Sequence, residues 1–186
     1  KNRVHDEVIH LDPGNYVAYY TSDGSHSYRD WNAASPDRGD LWGLSIVPVT
    51  GPVPEGVVAP YEPADDPNLV ARITMVRDDE EREVIFTLEE ETRLRVHALG
   101  EGSGGSMFDF GWISNARTGR RVWSMAYDAT EWAGGATKNR LIDQVIVLPA
   151  GRYGLHYRTD GSHSFNEWNS APPTDPMSWG VTVLRD

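Results

Sequence analysis

The fold class is indicated by one stretch near the C-terminus, Val145-Ile-Val-Leu-Pro-Ala-Gly-Arg-Tyr-Gly-Leu-His-Tyr157. An apolar run is followed by a tight turn that ends at Gly151 and then by a run rich in tyrosine. Apolar, β-branched and aromatic residues on either side of a short turn favour a β-hairpin over a helix. The stretch from Val8 to Tyr20 repeats this order, with its turn ending at Gly14. The sequence therefore predicts the same hairpin twice.

The similarity between these two stretches extends far beyond the hairpin. Residues 1–47 align with residues 138–184 without a gap, and 21 of the 47 aligned positions are identical. The identical positions include turn residues, aromatic residues and a polar loop, Asp23-Gly-Ser-His-Ser27 in the first copy and Asp160-Gly-Ser-His-Ser164 in the second. We interpret this as an internal duplication of one structural unit.

A proline-rich segment separates the two copies. Residues 48–67 hold six of the twelve prolines, a composition that favours extended, semi-rigid backbone, so this segment is the predicted linker. A complete unit then occupies residues 68–186, and residues 1–47 correspond only to the C-terminal half of such a unit. Because a few strands seldom stand alone in water, we expect either that an upstream half is missing or that residues 1–47 recruit strands from elsewhere.

The complete unit shows the period-2 alternation of half-buried strands. Val84 to Leu88 and Leu94 to Ala98 alternate around a polar turn, which predicts another hairpin. Gly100 to Gly105 is predicted to be a glycine-rich turn. Residues 108–113 and 121–125 are predicted to be two more strands, which the turn at residues 116–119 joins as a pair. A further strand is predicted at residues 181–184, and residues 44–47 are its counterpart in the first copy. Many short strands without an amphipathic helix predict an all-β fold, an antiparallel β-sandwich or jelly roll.

Composition excludes several classes of partner and site. The formal net charge of -11 repels nucleic acid phosphates and anionic lipids. No apolar run has the roughly 20 residues that a membrane span requires, so we expect no membrane insertion. The absence of cysteine excludes disulfides, cysteine-ligated metals and thiol catalysis.

The stretch 145–157 resembles the hairpin of bacterial pre-peptidase C-terminal domains, in which leucine, proline, alanine and glycine precede a tyrosine. That resemblance implies a β-sandwich accessory module of a secreted protein. It also implies an exported, non-catalytic role in adhesion, carbohydrate binding or assembly.

The duplicated polar loops, with the tryptophan that follows each, are the candidate ligand-binding sites. The candidate residues are Asp23, Ser25, His26 and Trp31 in the first copy and Asp160, Ser162, His163 and Trp168 in the second. Oxygen-bearing side chains around a glycine suit calcium, although each loop offers fewer than the six to eight oxygens that the ion takes. One histidine per loop is too few for a typical zinc site. In the alternative, structural interpretation no cofactor binds, Asp and Ser cap turn amides, and His bridges two backbone groups.

No motif of nucleophilic, metallohydrolase or phosphate-binding chemistry occurs in the sequence. We therefore expect no catalytic residues and a non-enzymatic protein. Our leading hypothesis is an extracellular or cell-envelope bacterial repeat protein with a structural, adhesive or self-assembling role, as in a filament or surface layer, whose partner is another copy of itself. The alternative is a carbohydrate- or calcium-binding accessory module of a secreted hydrolase, with tryptophans stacking on glycans.

Overall fold

The computed structural model describes residues 2–14, 16, 18, 20, 22, 25–53, 56–58 and 66–186. The chain divides into two compact units, Lys1–Pro63 and Ala64–Asp186. The division falls within residues 48–67, the predicted linker, part of which lies outside the described residues. Over the described ranges, no helix is long or apolar enough to cross a bilayer.

The described chain is all-β, as the sequence predicts, and its strands pair antiparallel. The first unit contains β1 (His26–Ser27) and β2 (Asp30–Trp31). The second contains β3 (Leu69–Thr74), β4 (Glu81–Leu88), β5 (Thr92–Ser103), β6 (Ser106–Met107), β7 (Phe110–Asn115), β8 (Arg121–Ser124), β9 (Glu131–Trp132), β10 (Asn139–Leu148), β11 (Gly151–Arg158) and β12 (Gly180–Arg185). Three 3-10 turns, Gly39–Leu41, Tyr127–Ala129 and Pro176–Ser178, are the helical elements of the described residues.

The second unit is a two-sheet sandwich. One sheet has the order β3-β12-β5-β10-β9, with β6 paired to β5, and the other has the order β4-β11-β7-β8. Alternate residues of each strand point between the sheets, because successive side chains of a strand face opposite ways. The core includes Leu94, Val96, Val181 and Val183 from the first sheet, and Phe86, Leu88, Ile113, Tyr153, Leu155 and Tyr157 from the second. The sheets thus close over one apolar core.

Two of the predicted hairpins are not hairpins. The strands occur where predicted, but β10 and β11 belong to different sheets, and so do β4 and β5. β10 pairs with β5, and β11 pairs with β4 and β7. The short turn after Leu148 therefore carries the chain across the core, and the Tyr153 hydroxyl donates to the Pro149 carbonyl, 2.9 Å away, at this corner. The predicted pairing of residues 108–113 with 121–125 is confirmed, since β7 and β8 are hydrogen-bonded neighbours.

The predicted glycine turn at residues 100–105 is wrong in its extent. β5 continues to Ser103, and the turn is confined to Gly104 and Gly105, which both have positive φ. Gly100 serves a different purpose, because a Cβ there would lie 2.1 Å from the carbonyl oxygen of Asp109. Its missing side chain lets the chain that follows β6 lie directly against β5.

The first unit lacks the strands predicted at residues 8–11 and 44–47, which are described but form no sheet. In the second unit the equivalent residues belong to β10 and β12, whose partners β3 and β5 come from residues 69–103. No equivalent of those partners exists within residues 1–47. What does form is local: β1 pairs with β2 where the second copy has a Ser164–Glu167 bridge, and both copies have a 3-10 turn at equivalent positions.

Candidate functional site

His163 of the second polar loop lies at the centre of a buried polar cage. Its Nε2 is 2.6 Å from Oδ1 of Asn139, at the start of β10, and its Nδ1 is 3.0 Å from Oδ1 of Asn169. The residue is fully buried and has a φ of 66°, a left-handed conformation that costs a side-chain-bearing residue about 1–2 kcal/mol. The loop is therefore held in a strained shape by side-chain contacts.

Two tryptophans enclose the His163 ring. The ring centroid is 5.2 Å from that of Trp168 and 5.8 Å from that of Trp179, both edge-to-face. The tryptophans meet each other at 4.9 Å and 87°. Edge-to-face pairs of this kind contribute about 0.5–1.5 kcal/mol each beyond burial. Trp179 is fully buried, so the cage is anchored in the sandwich core.

The protonation of His163 follows from its surroundings. The Asn139 amide nitrogen donates to the carbonyls of Gly134 and Ala171, so its Oδ1 is the acceptor and the Nε2 of His163 carries the proton. Burial, followed by the nearby ammonium of Lys138, lowers the pKa of His163 to about 4. The lowered pKa favours the neutral ring at pH 7, in which Nδ1 has no proton to donate to Asn169. The Oδ1 of Asn169 accepts instead from Nζ of Lys138, 2.6 Å away. The ring is enclosed by the two asparagines, with no nitrogen open to a metal ion from solvent.

The first unit builds the same cage from the equivalent residues. Each ring nitrogen of His26 lies 2.8 Å from an asparagine oxygen, Nε2 from Asn2 and Nδ1 from Asn32. The His26, Trp31 and Trp42 rings meet edge-to-face at 5.1, 5.6 and 4.9 Å. These distances are within 0.2 Å of those in the second unit. The difference is burial, because His26 is only half-buried.

Of the other predicted site residues, Asp160 and Ser162 contact each other within the second loop. Asp160 accepts from the Ser162 backbone N–H at 3.0 Å and lies near its hydroxyl at 3.3 Å, which is the turn-capping role considered in the structural interpretation. Histidine bridges two asparagine side chains, however, and not two backbone groups. Ser25 is exposed, and Asp23 lies outside the described residues.

The predicted site residues do not include the asparagines that complete both cages. Asn2 and Asn139 precede their histidines by 24 residues, and Asn32 and Asn169 follow by six. A usable signal was present, because all four belong to identical pairs of the duplication. Spacing in the chain hides their contact, since only the fold brings the start of β10 beside the loop.

A second polar cluster lies in the complete unit and was not predicted, apart from Asp160. Carboxylate oxygens of Glu101, Asp109 and Asp160 lie within 4.8 Å of one another. Glu101 lies beside Lys138, and the Nζ of Lys138 is 2.8 Å from Oε1 of Glu101. Asp109 Oδ1 accepts from the Asp160 backbone N–H at 2.8 Å. The only clue in the sequence is an aspartate between two phenylalanines, at residues 108–110.

A third group, on β4, β11 and β7, has the residue types of a hydrolase without its geometry. Ser114 Oγ is 2.8 Å from Nε2 of His156, and Glu83 Oε1 is 3.6 Å from the same nitrogen. A catalytic triad places the acid on one ring nitrogen and the nucleophile on the other. Because Ser114 and Glu83 both face Nε2, this group does not form that relay.

Comparison of the chain with known proteins identified no significant match. No family model matches the chain, and neither a curated protein nor a solved structure matches it significantly. The resemblance of residues 145–157 to pre-peptidase C-terminal domains thus stays an expectation from the sequence.

Proposed function

We propose that this protein is a non-enzymatic structural module of the bacterial cell exterior that associates with copies of itself through its half-unit, residues 1–47. The support is a difference in burial between equivalent residues. Leu11, Tyr16, Tyr20, Leu44 and Ile46 are each between 44% and 60% exposed. Their counterparts in the complete unit, Leu148, Tyr153, Tyr157, Val181 and Val183, are at most 5% exposed.

This exposed set has the pattern of an unfinished sandwich. Tyr16 still makes the corner contact of its counterpart, with its hydroxyl 2.6 Å from the Asp12 carbonyl, so the local turn is formed while the side chain stays half-exposed. Fully burying a large apolar side chain contributes about 1.5–3 kcal/mol. Five half-exposed side chains therefore offer about 5 kcal/mol for association with suitable strands.

A second copy carries suitable strands. In the complete unit the equivalents of the half-unit pair with β3, β4, β5 and β7. Of these, β3 and β4 lie at the edges of their sheets, and β4 exposes Val84 and Ile85. A cleft of about 550 Å³ lies between these two edges, lined by residues including Arg72 and Glu83. Open edges with apolar side chains are templates for strand addition.

Light scattering tests the proposal. The concentration series runs from roughly 1 to 100 µM, a range that brackets micromolar affinities. We expect the mass to grow with concentration above 20.7 kDa. The triple variant Leu11→Asp, Leu44→Asp, Ile46→Asp should weaken association about 100-fold, since about 3 kcal/mol of burial is lost. Met177→Ser is the matched control, because Met177 is similarly exposed and its counterpart in the half-unit is the polar Asp40.

A constant monomer mass across the whole series would refute self-association. The same conclusion would follow if Met177→Ser weakened association as much as the triple variant, because the half-unit would then have no special part in it.

A further inference from the structure

The carboxylates of Glu101, Asp109 and Asp160 form a compact group with too little positive charge around it. Glu101 lies at the end of β5, Asp109 between β6 and β7, and Asp160 just after β11. Two of the three residues, Glu101 and Asp109, are buried. The Nζ of Lys138 forms an ion pair with Oε1 of Glu101 and balances one of the three carboxylate charges. Buried carboxylates are strongly unfavourable unless they are paired.

Unpaired oxygens mark this group as a ligand site and not as a simple ion-pair network. Asp109 has no exposed surface, and its Oδ2 has no hydrogen-bond partner among the described residues. The side chain of Glu101 is 8% exposed, and within the same described part of the chain its Oε2 also lacks a partner. A buried carboxylate oxygen without a donor is rare in folded proteins. Two of them in one cluster call for a cation.

From this geometry we infer that Glu101, Asp109 and Asp160 bind one calcium ion. The three ligands are carboxylates, which suit hard cations and not zinc or copper. Ligands on opposite sides of a calcium ion are about 4.8 Å apart at a Ca–O distance of about 2.4 Å. The cluster's oxygens, all within 4.8 Å of one another, are close enough to share one ion, and water supplies the remaining ligands.

The electrostatics of Asp109 agree with this assignment. Burial, and then the negative charges of Asp160, Glu101 and Asp78, raise its pKa to about 8. Burial likewise raises the pKa of Glu101, against the opposing effect of Lys138. A divalent ion would take the place of the missing positive charge.

The local backbone is built to bring these carboxylates together. Gly100 has no side chain, so the Asp109 carbonyl can lie against β5. The backbone N–H groups of Phe108 and Asp109 donate to the Glu101 carbonyl at 2.8 and 3.2 Å. Asp79 N–H donates to the Asp160 carbonyl at 2.9 Å, which holds the third ligand in place. The site lies wholly in the complete unit, so it does not depend on self-association.

Calorimetric titration of the full chain with calcium chloride, after removal of metals with EDTA, tests the site. We expect one ion per chain, because Glu101 and Asp109 have no counterparts in residues 1–47. Saturating calcium should also raise the melting temperature by at least about 4 °C relative to EDTA. Magnesium should bind far more weakly, since it demands a smaller, near-octahedral shell.

Three variants separate a calcium site from a structural role of the same residues. Asp109→Asn and Asp160→Asn should each lower the calcium affinity at least tenfold and abolish the thermal shift. In EDTA, Asp109→Asn should melt at or above the wild-type temperature, because the amide removes the cost of burying an ionisable carboxyl group beside the carboxylates of Glu101 and Asp160. Glu90→Gln, which removes one exposed carboxylate in the β4–β5 turn, should bind calcium like wild type.

The inference would be overturned by a wild-type chain that shows no calcium-dependent shift. It would also be overturned if Asp109→Asn kept the full calcium-dependent rise in melting temperature, since calcium would then bind elsewhere. If Asp109→Asn fails to fold, the same outcome in Asp160→Asn overturns the inference.

Discussion

Replacing the two cage histidines with alanine should have very different effects on the two units. His163→Ala leaves the buried Oδ1 of Asn139 without a donor, which costs about 1–3 kcal/mol. It also removes the contacts with Trp168 and Trp179 at 5.2 and 5.8 Å, each contributing about 0.5–1.5 kcal/mol. The expected loss is about 4 kcal/mol, a large fraction of the stability of an ordinary domain, about 5–15 kcal/mol.

The equivalent change in the first unit should be mild. In His26→Ala the side chains of Asn2 and Asn32 are exposed, so water replaces the lost hydrogen bonds. What is lost is the edge-to-face contacts of the half-buried ring with Trp31 and Trp42, about 0.5 kcal/mol each at the low end of their range, so the expected loss is about 1 kcal/mol. Urea unfolding of the β-sheet signal in circular dichroism measures both variants against wild type. Equal losses, or a loss below about 1 kcal/mol in His163→Ala, would refute the reasoning that burial makes the second cage a stability element.

The remaining predictions concern protonation and close packing. Because the folded-state pKa of His163 is lowered to about 4, the unfolded chain binds more protons between pH 6.5 and 4, and stability is lost as the pH falls through that window. The difference in unfolding free energy between wild type and His163→Gln should therefore shrink by up to about 3 kcal/mol; a constant difference would contradict the lowered pKa. Gly100→Ala should destabilise by more than about 3 kcal/mol in urea unfolding because its Cβ would clash with the Asp109 carbonyl, whereas Gly104→Ala, with open space around it, should cost only the positive-φ penalty of about 1 kcal/mol. Tyr157→Phe removes a buried hydroxyl that donates to a β5 carbonyl at 2.6 Å and should lower the urea midpoint by an amount equal to about 1–2 kcal/mol; no change would show that this hydrogen bond adds nothing.

The sequence predicted strands better than strand pairing. The alternation from Val84 to Leu88 and from Leu94 to Ala98 marks each strand, because period 2 reports only that one face is buried. It does not report which strand lies alongside. A short turn serves equally for a hairpin within one sheet and for a crossing between sheets, so the two crossings were predicted as hairpins. Only β7 and β8, joined by a turn within one sheet, were predicted with the correct partner.

The residues of the candidate sites were likewise predicted only in part. Identity between the copies pointed to His26, His163, Trp31 and Trp168, all of which lie in the cages. It could not show that the histidines contact asparagines 24 residues earlier in the chain. The acidic cluster has even less sequence signal, since Glu101 and Asp109 come from outside the duplicated segments and meet Asp160 only where β5, β7 and β11 approach.

The sequence by itself determined the all-β class, the positions of most strands, and the duplicated local elements, because these depend on alternation, turn residues and side chains near one another in the chain. The cages show this most clearly, because nearly the same distances recur in both units although, among the described residues, the buried apolar core belongs to the second unit. Tertiary structure decided which sheet each strand joins, which copy buries its histidine, and which carboxylates meet. Those outcomes depend on neighbours supplied by distant segments, and residues 1–47 lack them.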